Sequence, residues 1–171
     1  RVGNSIRLVN SGSTVGYCGS KMDVPLNPAL NPAAPFSVEF WANPNSLSTD
    51  STGLCPLSSM DPNWYGGGNR SGFIFYLNNA RWQFRLGAIG GYAVVVNASG
   101  ITPAVGVWNH VVATYDGTTA KLYVNGIQRG SGPVAAGWVP NSQMALRIGG
   151  TSLYAVGQLA LLSIQGSRDR R

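Results

Sequence analysis

The chain has 171 residues, 44% of them hydrophobic and 11% charged, enough to bury one core and too apolar for intrinsic disorder. No stretch approaches the eighteen or so uninterrupted apolar residues of a membrane-spanning helix, so no membrane insertion is expected. The formal charge of +6 falls to +3 once Arg1, Arg168, Arg170, Arg171 and Asp169 are set aside. The remaining basic residues are spaced singly, without the run or motif of a nucleic-acid-binding arm, so no nucleic-acid partner is expected.

The first residues, RVGNSIRLVN, lack the apolar centre of a signal peptide, and the chain starts without methionine. It reads as a mature or excised module of a secreted or cell-surface protein, hence extracellular. Cys18 and Cys55 stand 37 positions apart, without the close spacing of redox or zinc sites. Two buried thiols are one reading. A disulfide is the other, favoured by the extracellular character of the chain, and closing that loop would contribute about 4 kcal/mol by chain entropy.

Short runs with period two, bounded by glycine, asparagine or proline, predict strands along most of the chain. In FSVEFW, Phe36, Val38 and Phe40 share one face while Ser37, Glu39 and Trp41 share the other. Ser46 to Asn69 is too irregular for a strand ladder and too aromatic for a plain linker, which suggests a surface loop or a ligand-facing one. GFIFYL follows, with Asn78 and Asn79 expected to turn it into RWQFRLG. There Trp82, Phe84 and Leu86 alternate with Arg81, Gln83 and Arg85, so that the three polar side chains are expected to be exposed.

YAVVVNA is a further strand, then HVVATY, a turn at Asp116 and Gly117, KLYVNG, a second turn at Asn125 and Gly126, and IQRGS. ALRIGG and GQLALLSI complete about ten candidates, the pattern of an all-β, two-sheet antiparallel sandwich. No internal repeat or second-domain boundary is visible.

Three segments, Val24–Pro44, Trp108–Ser131 and Leu146–Gly150, resemble in order and separation the landmark segments of laminin G-like, concanavalin A-like jelly-roll domains. The resemblance covers nearly the whole chain and implies one jelly-roll domain over residues 1–171. It also implies a repertoire of glycan or protein binding, with some glycoside hydrolases and lyases on the same fold. The final strand departs from the family pattern: Ala160 and Leu161 stand where an acidic pair is usual, and residues from about 166 to 171 read as a divergent tail. The resemblance leaves room for calcium, for which Asp23, Asp50, Asp61 and backbone carbonyls are the available donors. No cofactor is otherwise implied.

Glycoside hydrolysis needs two carboxylates across the scissile bond. The chain has one glutamate, Glu39, and five aspartates scattered in turns, loops and tail. A lyase could use His110, Tyr115 or Tyr123 with Arg85, but the resembling segment commonly carries histidine at the position of His110. That residue is expected to be hydrogen-bonded within or beside the core. No nucleophile elbow or phosphate loop appears.

Binding chemistry remains. Sugars pack C–H faces on aromatic rings and offer hydroxyls to planar polar groups. Trp41 and Trp108 are expected in the core or at a sheet edge. The expected ligand-binding set is Trp64, Tyr65, Asn69, Arg70, Arg81, Gln83, Arg85 and Trp138, with arginines meeting carboxylate or sulfate. The expectation is a non-catalytic carbohydrate-binding module whose partner is a polysaccharide or glycan, with a modest preference for acidic or sulfated polysaccharide. The alternatives are a protein-interaction module of an adhesin or coat, with self-association, and more remotely a polysaccharide lyase or glycoside hydrolase.

Overall fold

The computed structural model describes residues 5–8, 21–47, 54–61 and 69–149, together with the backbone of a strand at 159–163. Cys18, Asp50, Trp64, Tyr65 and the tail lie outside these residues. The described strands are β1 (Met22–Val24), β2 (Phe36–Pro44), β3 (Leu57–Asp61), β4 (Ser71–Asn78), β5 (Arg81–Ala88) and β6 (Gly91–Asn97). Then come β7 (Asn109–Tyr115), β8 (Thr119–Val124), β9 (Ile127–Pro133), β10 (Leu146–Ile148) and β11 (Leu159–Ser163).

They form two antiparallel sheets, one of six strands in the order β1-β10-β3-β4-β5-β6 and one of five in the order β11-β2-β7-β8-β9. The result is a jelly-roll sandwich. Side-chain alternation puts one face of each sheet inward. From the six-stranded sheet come Phe73, Phe75, Leu77, Trp82, Phe84 and Leu86; from the five-stranded sheet come Phe40, Val111, Ala113, Leu122 and Val124. Phe40 sits edge-on to Phe75 at 4.9 Å between centroids, joining the two layers at their centre.

Two local expectations are corrected. The segment 46–69 does contain a strand, β3. Its sequence, LSSMD, hides the alternation because Ser58 and Ser59 are both buried. Ser59 is accommodated by polar partners: its hydroxyl hydrogen-bonds Oδ1 of Asn31 and accepts from Nδ2 of Asn141 at 3.3 Å. The β4–β5 turn is centred on Asn79 and Ala80, with φ of 49° and 54°, one residue later than expected. Asn78 instead pairs with Arg81 as the last residues of the ladder.

The other two hairpins form where expected. Asn125 and Gly126 take positive φ of 54° and 78°. Oδ1 of Asp116 accepts from the backbone N–H of Thr118 and of Thr119, each at 2.8 Å, closing the β7–β8 connection.

Candidate functional site

Arg85, in the middle of β5, lies on the outward face of the six-stranded sheet, opposite Ile74 of β4 and Val95 of β6. The next outward pair is Tyr76 and Gln83, which makes Tyr76 a diagonal neighbour of Arg85. The guanidinium carbon of Arg85 is 4.7 Å from the Tyr76 ring centroid and 5.0 Å from that of Tyr92 at the start of β6. Gln83 Oε1 accepts from Nε of Arg85 at 3.1 Å and from its Nη2 as well. Rings and amide together fix the plane of the guanidinium.

Arg70 reaches the same tyrosine from the chain entering β4, with its guanidinium carbon 4.2 Å from the Tyr92 centroid. Two features put it there. The N–H of Arg70 donates to the carbonyl of Ala88 at 3.0 Å, and Gly87 leaves room for the crossing chain. A Cβ on Gly87 would stand 2.9 Å from both the carbonyl carbon and the Cβ of Arg70. Gly72, at φ +85°, is then held from the other side: its N–H donates to the carbonyl of Val139, and its own carbonyl accepts from Nε1 of Trp138.

Beneath the arginines, Cys55, Met60 and Ile74 form a small apolar cluster with Tyr76 and Tyr92 packed against it. Burial pushes the Tyr76 phenol well above its ordinary pKa, more than the nearby guanidinium groups draw it down. The phenol is therefore held in its neutral form. Cys55 is fully buried and, as a thiol, is also driven upward by desolvation. Its expected partner Cys18 is outside the described residues.

The expected ligand-binding residues divide. Arg70 and Arg85 converge on Tyr92, and Asn69, exposed, precedes Arg70 directly. Arg81 is exposed on the same face of β5 but four residues from Arg85, about 13 Å along the strand. Gln83 is buried rather than exposed, because its amide is turned to Arg85 and screened by the surrounding side chains. Trp138 does not join the arginines. Its ring packs at 5.7 Å from Phe36 and 5.1 Å from Tyr115 between centroids, and it bears on the site only through the backbone of Gly72. Tyr76 and Tyr92 complete the constellation. Tyr76 could have been found from its outward register opposite Gln83.

His110 lies on the opposite surface, the outward face of the five-stranded sheet, with Nε2 3.2 Å from Oε2 of Glu39. Among the described residues no second carboxylate shares that face. Trp41 and Trp108 are not core residues, being 38% and 37% exposed. Of the expected calcium donors, Asp23 is engaged by Arg147 at 2.6 Å and Lys21 at 3.2 Å, and Asp50 lies outside the described residues. No group of three or more histidine, cysteine or acidic side chains converges among the described residues.

The family model for concanavalin A-like lectin/glucanases matches residues 18–165. The chain belongs to this superfamily. No curated protein sequence matches it. Among solved structures it resembles the binding domain of Paraclostridial mosquitocidal protein 1, with a TM-score of 0.65 and 14% identity over 94% of this chain and 40% of that one. It also resembles the receptor binding domain of the botulinum neurotoxin C/D mosaic serotype, with a TM-score of 0.62 and 15% identity over 94% of this chain and 46% of that one. A third is botulinum neurotoxin type C, which depends on two ganglioside molecules to get into cells, with a TM-score of 0.62 and 16% identity over 91% of this chain and 38% of that one. The chain thus spans less than half the length of each of these three, and the likeness is one of fold.

Proposed function

We propose that the chain is a non-catalytic carbohydrate-binding module of a secreted or cell-surface protein. It takes an acidic or sulfated polysaccharide on the outward face of the six-stranded sheet. The observation that carries this reading is the pair of guanidinium groups, Arg70 and Arg85, gathered at one tyrosine ring. A fixed guanidinium meets a carboxylate or sulfate in plane, with two N–H donors. Arg81, about 13 Å further along β5, extends the positive track.

The non-catalytic part of the proposal is supported by the setting of Glu39, which pairs with His110 rather than with a second carboxylate, and by the likeness to binding domains. The ganglioside dependence of the type C toxin concerns that protein, but it makes a glycan a reasonable class of ligand for the fold.

Affinity electrophoresis in gels containing heparin, alginate or polygalacturonate tests the reading. Retardation that Arg85→Ala and Arg70→Ala each abolish, and that added salt weakens, is expected. Equal mobility of wild type in gels with and without polyanion would overturn it.

A further inference from the structure

The outward face of the five-stranded sheet carries side chains that the acidic-glycan reading does not use. Trp41 of β2 and His110 of β7 are directly opposite in the register. Their rings stack with centroids 4.7 Å apart and planes inclined by 19°. His110 is in turn held by Glu39, two residues back on the same face of β2, through the 3.2 Å contact of Nε2 with Oε2. The indole is 38% exposed and the Glu39 side chain 40% exposed. Neither Oε1 of Glu39 nor Nε1 of Trp41 has a hydrogen-bond partner among the described residues.

A rigid indole wall, a free carboxylate oxygen beside it and a free indole N–H are complementary to one class of small molecule. A pyranose lays its C–H face on the ring while its hydroxyls donate to the carboxylate and accept from the N–H. The charge narrows the class. Glu39 repels uronates and sulfated sugars, which the arginine face attracts, and favours a neutral sugar whose hydroxyls can donate to it.

The geometry points to a second carbohydrate subsite, made by Trp41, Glu39 and His110, that binds neutral hexopyranosides. The two sheets of a sandwich pack about 10 Å apart, and the two sites face away from each other. Both can be filled at once, so one domain can join a neutral polysaccharide to an acidic one. This inference does not depend on the acidic-glycan reading, and each can fail without the other.

The test is a titration of the isotope-labelled chain with cellohexaose, laminarihexaose, maltohexaose and mannohexaose, followed by NMR of the indole N–H groups and by calorimetry. At least one hexasaccharide is expected to bind and to shift the Trp41 indole resonance. Trp41→Ala is expected to weaken that binding roughly tenfold or more. Glu39→Gln should weaken it several-fold, while Arg85→Ala leaves it unchanged. The inference is overturned if none of the four binds at millimolar concentration, if the resonance that shifts is not that of Trp41, or if Trp41→Ala binds like wild type. Where Trp41→Ala does not fold, the resonance shifts of the wild-type protein decide.

Discussion

The guanidinium carbon of Arg70 stands 4.2 Å from the ring centroid of Tyr92, and Arg85 approaches the same ring at 5.0 Å. Two like charges at one ring repel each other, and the aromatic face partly offsets that cost. An anion that meets both relieves it further. Tyr92→Phe, which keeps the ring, should bind polyanion nearly as wild type does. Tyr92→Leu should lose roughly 3-fold to 10-fold in affinity, as expected for a partly desolvated cation–π contact. Affinity electrophoresis at low salt separates the two variants, and equal retention of both would show that the ring does not organise the arginines.

Gly87 provides a test of how Arg70 is placed. A methyl group there meets the backbone of Arg70 and Ser71 at about 3 Å, and backbone cannot rotate away as a side chain can. Gly87→Ala should cost about 1–3 kcal/mol of stability and weaken polyanion binding by displacing Arg70. Gly90→Ala is the comparison: its φ of +75° is unfavourable for alanine, but nothing lies within 4 Å of an added Cβ. It should cost about 1 kcal/mol and leave binding intact. Denaturation curves together with gel retardation check both, and loss of binding in Gly90→Ala would point to the hairpin rather than to the crossing.

Much of this site was legible in the sequence because β5 alternates so cleanly: Trp82, Phe84 and Leu86 went inward, and Arg81 and Arg85 outward. What the pattern could not give was the burial of Gln83, since alternation assigns a face and says nothing of what screens it. Trp138 misled for a related reason. Its neighbours Gly137 and Pro140 mark a loop, but a loop at the end of a sandwich can still lay a ring over Phe36 and Tyr115. β3 was hidden because its inward and outward positions include the buried serines Ser58 and Ser59, and the partners of Ser59, Asn31 and Asn141, are remote in sequence. Trp41 was expected to pack because it sits in a landmark segment, yet the period-two reading of FSVEFW already placed it on the face opposite Phe40.

Trp82 is fully buried beside Phe40, and its Nε1 has no hydrogen-bond partner among the described residues. A buried unpaired N–H costs about 1–3 kcal/mol, which opposes the gain from burying so large a ring. Trp82→Phe removes the orphan donor while leaving part of the volume unfilled, so the two effects nearly cancel and stability should change by less than about 1.5 kcal/mol. Trp82→Ala has no such compensation and should cost about 3–5 kcal/mol. Urea denaturation of both proteins checks this. A Trp82→Phe loss as large as that of Trp82→Ala would mean that the indole N–H is not a liability.

Acid should act through two aspartates whose carboxylates the fold prefers ionised. Asp116 is held at a pKa of about 2 by the backbone N–H of Thr119, then by the N–H and hydroxyl of Thr118. Asp23 is lowered chiefly by its hydrogen bond to Arg147. Because the folded values lie below the unfolded ones, the stabilisation is present above about pH 4 and is lost as pH falls toward 2. The melting temperature should therefore drop across that window. Asp116→Asn keeps an Oδ1 acceptor for the turn but cannot titrate. It should melt slightly below wild type at neutral pH and with a shallower dependence on pH between 4 and 2. Parallel acid slopes for the two proteins, read by circular dichroism, would show that the Asp116 charge does not contribute to holding the β7–β8 turn.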